Sequence, residues 1–396
     1  MTIHRRTFRT LALSTMLFAS ALTTANAQEA AAVAERFKAL LAAQNVALSW
    51  SSISGATPSL ALEGVKLSPV GAEKPMEIGK LTFEGVAEDA GAITVDAIKT
   101  DPYSMTEDGA TIDIGALSLS GVRIPADGAD LMGSMIFYES AELPILSVKM
   151  GDKTAFSMEG MTMEITPPAD GKPMEFTGAA EKFTADLTLV SDPQSKPVID
   201  ALGYQTITGF FETSGTWNPT DGRMALSQYD ISVENAGTFG MTFDLGGYTP
   251  EFIKSLQEMQ KQLASQPEGA DNSAQGMAVL GLMQQLTFHS ASLRWDDDSL
   301  TNKVLDYVAK QQNMKPADIK NQAKAIIPFL TAQLNNPELS SQISTAVNAF
   351  LDDPKNIEVS AEPATPVPFA QIAAASMGNP LDLTKTLNVQ VTANED

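Results

Sequence analysis

Asp296-Asp297-Asp298 is the densest carboxylate run in the chain, and three adjacent acids are what a calcium site would draw on. The alternating ligands and the glycine of a calcium loop are missing, and a helical pattern opens at Ser299 directly behind the run. Acids in that place cap free N–H groups and favour the helix dipole, so capping is the expected role. His289 is the next candidate. It lies in Phe288-His289-Ser290-Ala291-Ser292, where a half-buried strand position is expected rather than a catalytic base. The only other histidine is His4, and there is no cysteine, so neither a Cys-His pair nor a conventional zinc site can be assembled. No phosphate-cradling glycine loop and no dinucleotide fingerprint occurs. Glycoside hydrolysis needs two carboxylates across a cleft, usually floored by aromatic platforms. The 48 acids allow it by number, but Trp50, Trp217 and Trp295 fall in three different strand-like regions, which suits core packing. The chemistry-bearing residues therefore assign no catalytic residue, no metal and no cofactor, with a carboxylate-based hydrolase kept as the enzymatic alternative.

The positive signal is methionine. Met150, Met158, Met161, Met163 and Met174 crowd one stretch of strand-like sequence, with Met132 and Met135 just before it. Flexible, polarisable side chains suit a surface that accommodates varied apolar partners, and they equally suit a core with irregular gaps. Both readings stay open.

The elements that would carry these residues follow a leader. Arg5, Arg6 and Arg9, an apolar run from Leu11 to Leu22 and then Ala25-Asn26-Ala27 read as a secretory signal over residues 1–27, cleaved before Gln28. Arg5-Arg6-Thr7-Phe8 also partly matches a twin-arginine signal, although general secretion is the expected route. Export implies the periplasm or the exterior, where a cysteine-free chain must be stabilised by packed area. The net charge of −22 becomes more negative once the leader's arginines are lost. That charge disfavours nucleic acid and keeps the chain soluble. No second apolar run is long enough to span a bilayer, so no transmembrane anchor is expected after cleavage.

Residues 29–45 form a helical stripe through Val33, Phe37, Leu40 and Leu41. A strand grammar follows. LALEGV from Leu60, LTFEGV from Leu81, LSLSGV from Leu117 and FSMEGM from Phe156 are four copies of one pattern, 21, 36 and 39 residues apart. The spacing is too irregular for a strict solenoid. In each copy the alternation of apolar residues slips by one at a glycine (Gly64, Gly85, Gly121, Gly160). A β-bulge there would keep the later apolar residues on the same face. A tight turn at each glycine is the competing geometry. Alternation continues through Phe176 to Leu189, Met224 to Val233 and Thr238 to Leu245.

From Thr249 the grammar turns helical, with Phe252, Ile253, Leu256 and Met259 on one stripe. Ser265 to Gln275 reads as a loop. Helices are expected at Ser299 to Gln312, Pro316 to Leu334 and Pro337 to Leu351, and strands at Leu286 to Trp295, Asn356 to Ala361 and Leu387 to Thr392. Regions 28–248 and 249–396 thus differ in grammar, but the strands of the second need partners, so it is expected to complete the fold of the first.

The LxΦxGV copies, each preceded by an Ile-Gly step in the middle two, resemble the repeats of AsmA-like envelope proteins from about Leu60 to Ile165. That resemblance implies a long curved sheet around an apolar groove. The family's membrane anchor is missing here, which suits a carrier or accessory better than a bridge. The ending, WDDDSLTNKVLDYVAKQQ, AFLDDPKNIEVSAEPATPVPFAQI and NPLDLTKTLNVQVTAN, resembles a group of uncharacterised exported proteobacterial proteins and brings no activity with it.

The expected class is α+β: a large curved antiparallel sheet of irregular repeats, with amphipathic helices mainly from the C-terminal half. The expected function is non-enzymatic binding of a lipid or other apolar ligand along the sheet, lined by Leu81, Phe83, Leu117, Leu119, Met158, Met161 and Met163. The alternative is a scaffold binding another envelope protein.

Overall fold

The computed structural model describes residues 28–395 apart from Val70, Glu73, 127–136, Asp170 and 265–272. The leader, Met132 and Met135, and most of the expected loop at 265–275 lie outside the described residues. Helix α1 covers residues 28–43. The strands that follow are β1 (Val46–Ser49), β2 (Ser52–Ala56), β3 (Ser59–Pro69), β4 (Met76–Glu84), β5 (Ala87–Asp89), β6 (Ala92–Thr100), β7 (Tyr103–Glu107), β8 (Ala110–Ile114) and β9 (Ser118–Ile124). Next come β10 (Ser140–Met150), β11 (Lys153–Thr166), β12 (Met174–Asp186), helix α2 (Ser195–Leu202), β13 (Thr206–Asn218), β14 (Arg223–Val233) and β15 (Gly237–Gly246). The rest is α3 (Pro250–Ala264), α4 (Ser273–Met283), β16 (Thr287–Asp297), α5 (Leu300–Gln312), α6 (Pro316–Thr331), α7 (Pro337–Asp352), β17 (Asn356–Ala361), β18 (Val367–Pro368), α8 (Phe369–Gly378), α9 (Leu383–Thr386) and β19 (Val389–Ala393). Among the described residues strand makes up 45% and helix 33%, the pairing is antiparallel and no barrel closes, so the fold is α+β as expected.

Two compact units divide the chain, one of residues 1–105 and 115–141, the other of 106–114 and 142–396. Across the change of grammar at 248/249, β15 and β16 pair from Gly237↔Asp297 to Gly246↔Thr287. The expected loop also ends early, because Ser273 already opens α4.

In the first unit the pattern LxΦxGV does what its phase demands. Gly64, Gly85, Gly121 and Gly160 (the last in the second unit) all take left-handed backbone, with φ of +64, +67, +62 and +60. Gly64, Gly121 and Gly160 do so inside strands, whereas Gly85 lies in the short break between β4 and β5. One such residue lets a strand twist and return its apolar positions to the same face. Only Gly64 inserts an unmatched residue against its neighbour, between Glu63↔Lys80 and Val65↔Gly79. At Gly160 the register runs through unchanged, and the residue it faces, Glu181, lies across it. Asp96 likewise lies over Gly85, and Glu139 over Gly121.

The face so produced is closed by α1. Val33, Ala34, Phe37 and Leu40 descend onto Leu60, Leu62, Val65, Phe83, Ile98 and Val122, and the Phe37 and Phe83 rings meet edge to face at 5.3 Å. Leu62 and Phe83 retain 0% exposure. Arg36 on the same helix donates to the carbonyls of Gly91 and Pro125, tying α1 to the sheet margin.

Candidate functional site

In an antiparallel pair, directly opposed residues share a face of the sheet. Following the register through the second unit therefore reveals one continuous surface. Met161 lies opposite Ala180, Ala180 opposite Phe211, and Phe211 opposite Ile231. The row continues through Phe239, Trp295, Ile357 and Ala393. A parallel row starts at Ile165 and passes Phe176, Gly215, Leu226 and Phe243 before ending on Ala291, Ala361 and Val389. Between them Met163, Gly178, Thr213 and Tyr229 make one half of a third row. Met241, Leu293, Val359 and Val391 make the other half, across a register slip in β14 between Leu226 and Asp230. Eight strands at ~4.8 Å spacing make this lane about 34 Å long. It contains no charged side chain. The opposite face is its polar complement, with hydroxyl pairs Ser232–Thr238 at 2.8 Å, Thr242–Ser292 at 2.9 Å and Ser214–Ser227 at 3.0 Å.

Glycines shape the lane. A methyl group on Gly215 would stand 2.5 Å from the Phe176 ring, and one on Gly209 would stand 2.5 Å from the ring of Phe183. Each ring therefore lies down over the neighbouring strand's backbone instead of standing off the sheet. Phe211 and Tyr229 pack edge to face at 5.0 Å beside them. Along one end of the strands the surface is capped: the Trp217 indole donates to the Tyr248 carbonyl at 2.7 Å, the Tyr248 ring meets that of Phe252 of α3 at a tilt, and Phe288 meets Phe369 of α8. Toward the other end it is open, with Phe239 38%, Val359 44% and Leu293 49% exposed.

The seven residues expected to line a groove divide between the units. Leu81 and Phe83 belong to the core beneath α1, and Leu119 packs against that core. Leu117 exchanges backbone and side-chain hydrogen bonds with Thr100 just ahead of β9. Met158, Met161 and Met163 lie half buried on β11, the last two within the lane. Sequence reasoning missed the rest of that lane, Phe211, Tyr229, Phe239 and Leu293 above all. Alternation in β13 to β16 signalled a face, but only the register shows that it is continuous with β11.

The carboxylate run behaves as a cap. Asp297 accepts from the backbone N–H of Thr301 at 2.8 Å and from its hydroxyl at 2.7 Å, while Asp296 takes the Arg294 guanidinium at 3.0 Å. Arg294 also faces Glu358, and its carboxylate partners, Asp296 first, hold the guanidinium's pKa above its usual value. His289 is half buried on β16, at a register slip against β15, with its Nε2 3.3 Å from the Thr287 hydroxyl. Among the described residues, no group of three or more His, Asp or Glu side chains could hold a metal ion. No helix among them is long and apolar enough to cross a membrane.

A family model described as "Uncharacterized protein" matches residues 230–394, from the middle of β14 through β19. No curated protein matches the chain.

Proposed function

We propose that this chain is an exported, non-enzymatic envelope protein that binds an apolar or lipid-like ligand on the apolar lane of its second unit. The observation that carries this reading is the lane itself: three rows across eight strands, without a charged side chain and partly open to solvent. An apolar face left open at Phe239, Leu293 and Val359 is what ligand and partner sites present. The leader-like first 27 residues support export, and the AsmA-like character of Leu60 to Ile165 supports an envelope role.

Native mass spectrometry of the protein purified from its own cells, followed by organic extraction, tests the reading. The expected result is a stoichiometric added mass, released as lipid, that persists in Met161→Leu and is absent from folded Met161→Asp. A bare protein mass throughout would overturn it. A second reading, a scaffold that binds another protein, is favoured by α6, where Ile326, Leu330 and Phe329 are 51%, 60% and 77% exposed. It predicts a stable crosslinked protein complex and no added small-molecule mass.

A further inference from the structure

The three rows of the lane carry three polar side-chain groups, and two of them are satisfied within the protein. The Trp295 indole N–H donates to Asp297 at 3.2 Å. The Thr213 hydroxyl donates to the Gln228 carbonyl at 3.0 Å. The phenol of Tyr229 is different: among the described residues it has no hydrogen-bond partner. It stands beside Thr213 in the middle row, its ring held edge-on by Phe211, next to the slip in β14. That slip is the one place where the middle row is interrupted. Nor is the hydroxyl a sealed, unsatisfied group, since it is absent from the buried unpaired atoms of the fold. A fixed, reachable donor in an otherwise apolar lane is how a hydrocarbon site selects and orients one polar atom of its ligand.

We infer that Tyr229 is a specificity-determining residue that donates a hydrogen bond to a carbonyl oxygen on the bound ligand, making the ligand class an acyl ester rather than a plain hydrocarbon. This rests on the lane being a ligand site. The net charge of −22 disfavours a free carboxylate as the group bound there and favours the neutral ester.

Two fluorescent polyenes separate the possibilities: the methyl ester of cis-parinaric acid, which carries the carbonyl, and diphenylhexatriene, which has no oxygen. Titration of wild type and Tyr229→Phe gives the ratio of the two dissociation constants for each protein. The expected result is a shift of about tenfold in that ratio against the ester in Tyr229→Phe, the worth of one hydrogen bond of ~1.4 kcal/mol. An unchanged ratio, whether both probes weaken together or neither does, would overturn the role of Tyr229 and leave the lane as an apolar site. Failure of wild type to bind either probe would overturn the lane as a site, and the inference with it.

Discussion

The two units build an apolar sheet face from the same alternation and finish it differently. In the first, α1 lays Val33, Phe37 and Leu40 across the face, and Leu62 and Phe83 vanish from solvent. In the second, α7 runs along β19 and β17, and α3 and α8 close one end, while Phe239, Leu293 and Val359 stay exposed. An alternating strand encodes that a face is apolar. Whether the face becomes core or surface depends on a separate element arriving to cover it. The shared device is the left-handed glycine that keeps the phase, present as Gly121 in one unit and Gly160 in the other.

Truncation should separate the covered face from the open one by the widest margin. Phe83→Ala removes a ring with no exposure from beneath α1 and should cost about 3–5 kcal/mol. Leu293→Ala, from a side chain already 49% exposed, should cost about 1 kcal/mol or less. Chemical denaturation of both variants measures the difference, and similar losses would mean that the second face is as closed as the first. Next in size, Gly121→Ala and Gly160→Ala should each lose about 1–2 kcal/mol, because an L residue is strained at φ near +60. Equal losses would show one device serving both units; a silent variant would show that its strand tolerates the slip being removed.

The smallest effect is an acid-side pH dependence carried by two aspartates of the second unit. Hydrogen bonds from Thr188 and Ser195 hold the carboxyls of Asp186 and Asp192 below the usual aspartate pKa of 3.8. The stability they add is complete above that value and is lost as pH falls through their lowered pKa. Neither group is buried, so the expected signature is a shallow acid-side fall in the denaturation midpoint, flattened in Asp186→Asn/Asp192→Asn. A slope unchanged in the double variant would assign it to other groups.

Much of this architecture is legible along the chain. The helices at Leu300–Gln312, Pro316–Thr331 and Pro337–Asp352, the strand at Asn356–Ala361 and the cap at Asp297 follow from local periodicity and stop signals. Other elements gave little signal. Helix α8, FAQIAAASMG, is apolar almost all round and shows little periodicity. Helix α2 sits between turn-like residues, and α4 begins in what reads as a polar loop. The candidate site is the least legible part. Phe83 and Met161 both lie in copies of the same strand pattern, yet Phe83 is roofed by α1 and Met161 belongs to the open lane. Which strands neighbour β11, and hence that Met161 shares a row with Phe239 and Ile357, is fixed by non-local pairing that alternation does not specify.

Photolabelling asks which of the two faces admits a hydrocarbon chain. A diazirine-bearing acyl methyl ester would be bound to the folded protein, irradiated and mapped by peptide mass spectrometry. Labels concentrated on β11 to β17 of the second unit, with none on α1, β3 or β4, are the predicted result. Labels on the face beneath α1, or none above the level of an unfolded control, would contradict it.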